Sequence, residues 1–323
     1  MQQGNERLLE ALSEISDLAR TAVNGYEPGS DDADEQTNGA ASTPANIGCT
    51  IKAVPRRLVV RAAETAVKIN PANGLVFGRM VEAQGMMAPE PARIALLVAK
   101  YWGPTPRRLT VSFMETTPAD LRRRLVSHMN AWTRTGCIEF VETQGTGQVR
   151  VSRGRGGYWS YLGTDILHIP NNRPTMNLEA FTMNTRDSEF KRVVRHEAGH
   201  TLGFPHEHMR RQLIARLDRE KTYAYFLRTQ GWDRATVDAQ VLTSLDERSI
   251  RGTTNADQDS IMCYQLPGEI TTDGRPIRGG LDIDASDFDF CGRIYPRAGR
   301  TAMGACEEDE WAESEDVEEV VLS

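Results

Sequence analysis

Hydrophobic and polar positions in the middle of the chain follow first the period of strands and then that of helices. Apolar residues recur at every second position, or aromatic and β-branched residues accumulate, in four segments that we predict to be strands: RRLTVSF, CIEFVET, QVRVS and YWSYLGTDILHI. Between the first two, PADLRRRLVSHMNAWTRT has helical spacing behind Pro118. The pattern predicts a mixed layer of strands and helices that begins near Tyr101.

The pattern changes on both sides of this region and divides the chain into five segments. Residues 1–25 form a short amphipathic helical segment, and residues 26–48 are a disordered linker rich in Gly, Ser, Pro and Asp. Residues 49–100 are mainly helical and form an N-terminal extension, with RRLVVRAAETAVKIN and PARIALLVAKYW as its helices. Residues 101–298 are the main domain, and residues 299–323 are an acidic, disordered tail.

Composition changes this picture little. The chain of 323 residues has 39% hydrophobic and 26% charged residues, as in soluble globular proteins. Nine acidic residues between positions 307 and 319 account for the net charge of −7, so no nucleic-acid partner is expected. The apolar stretch Ile94 to Ala99 is too short to span a membrane, and the first residues lack a secretory signal. We therefore expect a cytoplasmic or non-classically exported protein.

The cysteines predict neither a disulfide framework nor a thiolate zinc site. They are odd in number, widely spaced and without a CxxC pair: Cys49, Cys137, Cys263, Cys291 and Cys306. A reducing compartment suits such a set.

Four of the six histidines lie in one short stretch, RHEAGHTLGFPHEHMR, residues 195–210. The preceding residues predict one helix, with Asp187 or Ser188 as its N-cap and Gly203 at its end. The histidines are therefore expected on the last turns of a helix and on the chain that follows it.

The spacing of these histidines predicts a zinc site. His196 and His200 are four residues apart, so they project from the same helix face. A left-handed Gly203 would let His206 return as a third ligand. Three protein ligands leave one position open, which is typical of one catalytic Zn²⁺ ion. Glu197 would then lie beside the metal-bound water and could take its proton.

Three motifs resemble those of the astacin family of metzincin zinc endopeptidases. HEAGHTLGFPHE, His196 to Glu207, is similar to the family pattern HExxHxxGxxHE. SIMCY, Ser260 to Tyr264, resembles the Met-turn, and YWSYLG, residues 158–163, resembles a W-S-Y-x-G segment. The resemblance covers roughly residues 101–298. It implies an α+β fold: a twisted mixed sheet packed on helices, an active-site helix, a cleft and a more irregular C-terminal subdomain with a Met-turn.

The resemblance also implies roles for particular residues. Met262 would form an apolar floor beneath the three imidazoles. Tyr264 would be an additional zinc ligand that swings away to stabilise the oxyanion. A protein or peptide substrate would lie antiparallel along an edge strand.

The chain departs from the astacin pattern at two points. In mature astacins the Glu after the third histidine pairs with a buried N-terminus, whereas Glu207 follows some hundred residues of extra chain. Either the chain is cut, or Glu207 has another partner. The extension also lacks an FxGD-like segment that could supply an aspartate to the zinc.

Two functional hypotheses remain at this point. The first is a zinc-dependent endopeptidase in which Glu197 is the general base. The second is a catalytically silent zinc protein that binds extended peptides. The presence of Glu197 favours the enzyme.

Overall fold

The computed structural model describes residues 49–74, 99–244 and 256–297. The predicted amphipathic segment 1–25, the linker 26–48 and the acidic tail 299–323 lie outside the described residues, as does most of the second helix predicted in the extension.

A six-stranded mixed sheet forms one layer of the fold. The strands are β1 (Cys49–Lys52), β2 (Arg107–Phe113), β3 (Ile138–Glu142), β4 (Val149–Ser152), β5 (Tyr158–Tyr161) and β6 (Met176–Leu178). Their order is β1-β5-β6-β4-β2-β3, in which only the β5–β6 pair is antiparallel. Strand β4 is buried along its whole length, as a strand covered on both faces requires. Strand β2 buries Leu109 and Val111 and leaves the residues between them more exposed.

The helices are mostly short. They are α1 (Val59–Ile69), α2 (Ala119–Met129), α3 (Asp187–Glu189), α4 (Arg195–Thr201), α5 (Arg211–Ile214), α6 (Arg219–Gln230), α7 (Arg234–Val237) and α8 (Ala285–Ile294). Short 3₁₀ segments lie at Arg56–Leu58, Pro71–Gly74, Asn130–Arg134, Gly163–His168, Glu207–Met209 and Gly268–Ile270. Two π turns lie at Phe190–Val194 and Asp238–Leu242.

The strand predictions hold for β2, β3 and β4 but only partly for the fourth segment. Its first four residues form β5, whereas the 3₁₀ turn Gly163–His168 follows. The chain leaves the sheet there because the N–H of Thr164 bonds to the carbonyl of Lys100 at 3.0 Å. The pattern also missed β6, which is only three residues long.

The helix that carries the histidine motif is a continuous run over residues 187–201, with a π turn between α3 and α4. The predicted N-cap was wrong. The N-cap is Arg186, and Asp187 is the first helical residue. The Asp187 carboxylate accepts a hydrogen bond from Arg124 at 3.1 Å, so it is used in a tertiary contact rather than in a cap.

The N-terminal extension is not purely helical. Its first described residues form β1, which pairs in parallel with β5 at the edge of the sheet. Helix α1 then packs its small apolar face against Ile169 in a separate hydrophobic cluster. The first four described residues of the extension therefore belong to the sheet layer.

Aromatic side chains fasten α4 to the core. The indole N–H groups of Trp132 and Trp102, both fully buried, donate to the carbonyls of Arg195 and Thr201 at 2.8 Å. These carbonyls stand at the two ends of the helix. The Tyr295 hydroxyl donates to the carbonyl of Leu202, one residue further on. Because buried carbonyls need partners, these donors fix the position of α4.

The region after α4 is more irregular. It contains short helices and a second hydrophobic cluster that includes Phe226, Val241 and Leu266. The structure confirms the predicted α+β class, with a mixed sheet packed on helices. Within the described ranges, no helix has both the length and the apolar character that a membrane crossing demands.

Substitution Tyr295→Phe should destabilise the protein by about 2–4 kcal/mol. It removes only a hydroxyl, but that hydroxyl donates to the carbonyl of Leu202 and accepts from the backbone N–H of Trp102 at 3.2 Å. Each buried group left without a partner costs roughly 1–3 kcal/mol. Urea unfolding measures the change. The control Leu227→Ala, at a side chain that is 63% exposed, should shift stability by less than about 0.5 kcal/mol, and an equal effect in both variants would contradict the prediction.

Candidate metal centre

Helix α4 presents two imidazoles to one point. His196 and His200 lie one turn apart, with ring centroids separated by 4.6 Å. Both side chains are buried, and His196 contacts the segment that contains Ile261. The hydrogen bonds from Trp132 and Trp102 to the two ends of α4 therefore also determine where these two rings lie.

A sharp turn returns the third histidine to the same point. Gly203 has φ of +97°, a conformation that residues with a Cβ rarely adopt. The chain then reverses, and the Nε2 atoms of His206 and His200 come within 3.0 Å of each other. The N–H of Glu207 bonds to the carbonyl of Met262 at 2.9 Å, which holds the returning segment in place.

Hydrogen bonds on the far side of two rings decide which nitrogens face the centre. Nδ1 of His196 is 2.6 Å from the carbonyl of Ile261, and Nδ1 of His200 is 2.7 Å from that of Phe204. A carbonyl only accepts, so each Nδ1 carries the proton and each Nε2 has a free lone pair. Among the described groups, Nε2 of His196 has no hydrogen-bond partner. These inward lone pairs fit a cation.

A fourth donor joins the three histidines. Cys49 of β1 is buried, and its sulfur and one nitrogen of each of His196, His200 and His206 lie within 4.8 Å of one another. Nitrogen and thiolate ligands in a set of four are what zinc prefers. The expectation that no cysteine belongs to a zinc site therefore needs correction. Spacing along the sequence could not reveal Cys49, because pairing between distant strands brings it to the histidines.

Glu197 lies in the same centre and is fully buried. Neither carboxylate oxygen forms a hydrogen bond with a described group. Burial raises the pKa of Glu197 to about 8, an effect that the adjacent Cys49 thiol and Arg192 partly offset. Burial likewise lowers the pKa of His196 to about 4, so this imidazole is neutral, as a metal ligand must be.

Met262 lies directly against α4. A Cβ added to Gly199 would be 2.5 Å from the Met262 sulfur, so a side chain at this position would force Met262 to move. The methionine is thus packed against the helix turn between the two histidines. The role of Met262 as an apolar floor beneath the imidazoles stays a prediction.

Tyr264 packs beside two histidine rings. Its ring centroid is 4.2 Å from that of His206 and 4.3 Å from that of His208, and it stacks nearly parallel to His208. The Tyr264 hydroxyl is buried and has no hydrogen-bond partner among the described groups. His208, whose role the sequence did not reveal, is fully buried, and its Nε2 is 3.2 Å from the carbonyl of Gln240.

Glu207 has partners within the chain. Its carboxylate is 3.2 Å from Arg210 and accepts from the backbone N–H of Asp257 at 3.2 Å. Burial raises the pKa of Glu207 to about 7, and Arg210 lowers it. Of the two possibilities raised by the sequence, the described structure shows the second, in which Glu207 pairs with a group other than a chain terminus.

Sequence analysis missed Asp287, a buried residue of α8. Its carboxylate accepts from the hydroxyl of Ser260 at 2.6 Å, from the N–H of Ile261 at 2.9 Å and from the N–H of Asp284 at 3.1 Å. It thereby fixes the segment whose Ile261 carbonyl orients His196. The sequence signal was weak: D-A-S-D is a helix-capping box, in which Asp287 also serves the cap.

Comparison with known proteins gives concordant matches. The family model of the peptidase family Astacin matches residues 98–268. The zinc metalloproteinase nas-27 of Caenorhabditis elegans is 30% identical over 100 residues, which are 31% of this chain and 21% of that relative. The chain thus matches about a fifth of the length of this curated protein.

Solved structures match a larger share of the chain. A structure of myroilysin is 32% identical, covers 61% of this chain and 96% of its own, and has a TM-score of 0.57. High choriolytic enzyme 1 is a hatching enzyme zinc-protease from the medaka fish Oryzias latipes. Its structure is 19% identical, covers 58% of this chain and 88% of its own, and has a TM-score of 0.40.

Stability should depend on the titration of Asp287. Burial raises its pKa to about 6, above the unfolded-state value of about 3.9. The folded protein therefore keeps a proton that the unfolded chain has released, and stability falls as pH rises from about 4 to about 6, by roughly 3 kcal/mol. The control is Asp287→Asn, because Asn does not titrate. Urea unfolding of both chelator-treated proteins gives the difference in their free energies of unfolding, and the wild type should lose stability relative to the variant as pH rises. A difference that stays constant from about pH 4 to 7 would exclude the raised pKa.

Removal of the metal should lower thermal stability. A ligand that binds only the folded state at a thousand times its Kd contributes about 4 kcal/mol, or roughly 10 °C in Tm for a chain of this size. A chelator should therefore lower the Tm of the wild type and leave that of His200→Ala unchanged. The control His128→Ala changes a histidine that packs on Phe190, away from the metal centre, and should respond to the chelator as the wild type does.

Proposed function

The chain belongs to the astacin family of peptidases, and from this premise we propose that it is a zinc-dependent endopeptidase acting on protein or peptide substrates. One observation carries the proposal: Glu197 follows His196 on α4 and is fully buried, and its carboxylate has no hydrogen-bond partner among the described groups. It lies beside Cys49, which belongs to the cluster with the three histidines. A purely structural zinc site has no use for such a carboxylate, and burial without a partner is costly.

His196, His200 and His206 would hold the zinc. The carbonyls of Ile261 and Phe204 keep the first two rings in the tautomer that binds metal, and the Gly203 turn presents the third. When bound, zinc lowers the pKa of a water molecule to about 7 and polarises a carbonyl group.

Glu197 would move the proton. Its carboxylate would accept a proton from the attacking water and later transfer it to the departing amine, so one residue acts first as base and then as acid. A raised pKa suits this task because the group must hold the proton between the two steps. The cation would offset part of the burial cost and favour the ionised, proton-accepting form at the start.

Tyr264 would stabilise negative charge on the substrate oxygen. Its hydroxyl is buried, without a partner in the described structure, and its ring packs against those of His206 and His208. A well-placed donor to an oxyanion is typically worth about 3–4 kcal/mol of transition-state stabilisation. The unpartnered hydroxyl supports this role, and Met262 would support the rings from below.

Substitution Glu197→Gln tests the general base. The variant should keep about one zinc per chain, because the histidines are intact, and lose roughly 10²- to 10⁴-fold in cleavage of a denatured protein. Because Cys49 lies among the histidines, the assay is run in parallel on chains that also carry Cys49→Ser. The control Glu139→Gln changes an exposed carboxylate of β3 paired with Arg108 and should cleave normally.

The result also separates the two hypotheses left by the sequence. Cleavage that survives in Glu197→Gln would remove this residue from the mechanism. Zinc in every variant with cleavage in none would favour the silent peptide-binding protein instead.

A further inference from the structure

His208 is a buried histidine that does not belong to the cluster of metal-binding groups. Its Nε2 is 3.2 Å from the carbonyl of Gln240. A carbonyl only accepts, so Nε2 carries the proton, and this bond fixes the orientation of the imidazole. Its Nδ1 has no hydrogen-bond partner among the described groups. Burial of such a nitrogen costs free energy that an apolar side chain of the same size would not, so packing alone does not explain a histidine here.

The backbone places His208 between the third histidine of the metal centre and the segment that carries Tyr264. His208 is the central residue of the 3₁₀ segment that directly follows His206. The first N–H of that segment donates to the carbonyl of Met262 at 2.9 Å, two residues before Tyr264. The backbone of His208 is thus fixed relative to both neighbours.

Gln240, whose carbonyl accepts the bond from His208, is itself held in place. It lies in the π turn Asp238–Leu242, whose Val241 is fully buried in the second hydrophobic cluster. Its side-chain amide exchanges two hydrogen bonds with the backbone of Ile51, at 3.1 and 3.2 Å. A carbonyl that is anchored in this way can define the orientation of a ring.

The rings of His206, His208 and Tyr264 form one packed group. The Tyr264 centroid is 4.2 Å from that of His206 at an interplanar angle of 46°, and 4.3 Å from that of His208 at an angle of 9°. The two imidazole centroids are 5.1 Å apart. Of the two contacts, the nearly parallel one sets the plane of the phenol ring, because a flat neighbour resists rotation of the ring out of that plane.

The plane of the Tyr264 ring matters because it directs the hydroxyl group. Rotation about the Cα–Cβ bond moves the hydroxyl farther than any other ring atom, and a ring stacked on one face blocks this swing towards that face. Rotation about the Cβ–Cγ bond has broad minima, so the covalent structure alone does not fix the plane. Conjugation keeps the phenolic O–H bond in the ring plane. The stack on His208 therefore defines the direction in which Tyr264 donates.

We propose that His208 is a positioning residue for the proposed endopeptidase reaction, on which this inference rests. Its imidazole, oriented by the Gln240 carbonyl, stacks on Tyr264 and directs the phenolic hydroxyl towards the substrate oxygen that becomes negatively charged. His208 acts through Tyr264 alone. A donor to an oxyanion is effective only when it is preorganised, because reorientation during the reaction would cost part of the stabilisation that it provides.

Two substitutions at this position separate stacking from packing. His208→Phe keeps a flat ring against Tyr264, whereas His208→Leu fills a similar volume with a branched chain. Both remove the bond to Gln240, so the cost of its unpartnered carbonyl is shared, and a difference between the variants reports the flat contact. The control His128→Leu changes a histidine that packs on Phe190, away from the metal centre, and should cleave normally.

The first test measures kcat and KM for cleavage of fluorophore-labelled denatured casein. All chains are full-length and zinc-loaded, and the parent carries Cys49→Ser, which removes the cysteine from the histidine cluster. In His208→Leu, kcat should be at least roughly tenfold below that of the parent and of His208→Phe, with KM changed by less than about threefold, because the donor acts in the transition state. Equal kcat in His208→Leu and His208→Phe would overturn the proposal.

A second background tests whether His208 acts through the hydroxyl. Tyr264→Phe alone should lower kcat roughly 10²- to 10³-fold, as expected for the loss of one oxyanion donor. In that background no hydroxyl remains to be positioned, so His208→Leu and His208→Phe should have kcat values equal within about threefold. A difference of about tenfold that persists without the hydroxyl, or normal cleavage by Tyr264→Phe, would count against the proposal and overturn it.

Nuclear magnetic resonance of the Tyr264 ring tests the same contact without cleavage. The zinc-loaded full chain is labelled with ¹³C in its tyrosine rings, and the Tyr264 signal is the one missing from Tyr264→Phe. A half-turn of the ring would drive its edge into a parallel neighbour. This exchange should therefore be at least roughly tenfold faster in His208→Leu than in the wild type and in His208→Phe. Equal exchange rates in the two His208 variants would refute the positioning role.

The two measurements separate this inference from the function on which it rests. Absence of cleavage from every chain, the parent included, together with faster ring exchange in His208→Leu, would uphold the positioning of Tyr264 and contradict the endopeptidase function. Cleavage by the parent, with equal kcat in His208→Leu and His208→Phe, would retain the endopeptidase and remove His208 from its mechanism.

Discussion

The convergence of three buried imidazoles on one point is the constraint on which the rest of the structure depends. The ring N–H groups of buried neutral imidazoles need acceptors. Those of His196 and His200 donate to the carbonyls of Ile261 and Phe204. Those carbonyls are themselves fixed, one by Asp287 of α8 and the other by the turn at Gly203. The core aromatics that hold both ends of α4, the segment around Met262 and the last helix can all be understood as supports for this single geometry.

The same centre shows how strand pairing at a sheet edge can bring a distant residue to a buried site. An edge strand beside a catalytic site invites a peptide, whether that peptide is a substrate or a part of the chain itself. Here the chain supplies its own strand, and the strand brings a thiol to the histidines.

The departures from the astacin pattern also have physical explanations. Glu207 lies within a loop that supplies Arg210 three residues later, and this pair, with the N–H of Asp257, provides the partners that a buried carboxylate needs. The extension lacks the aspartate motif of the family, but it supplies Cys49 at the metal centre. In the first case a buried carboxylate obtains hydrogen-bonding partners, and in the second a fourth donor atom joins three histidine nitrogens.

The sequence by itself determined what depends on local spacing. The strands β2, β3 and β4, the helix behind Pro118, and the position of His196 and His200 on one helix face all follow from periods of two and 3.6 residues. The resemblance that rests on HEAGHTLGFPHE indicated the family, and the family model confirms it. Gly203 was identifiable because few residues other than glycine accept the turn that its position demands.

Only the tertiary structure decided which distant segments meet. Cys49 reaches the histidines because β1 pairs with β5, and strand pairing across more than a hundred residues leaves no spacing rule in the sequence. Asp287 and Gln240 act through side chains that join separate elements, so composition and periodicity do not distinguish them from ordinary surface residues. The helix cap was misassigned for the same reason, since Asp187 is drawn to Arg124 across the fold. Sequence periodicity indicates whether a segment is a helix or a strand. The partners of a buried polar group depend instead on how distant segments pack together.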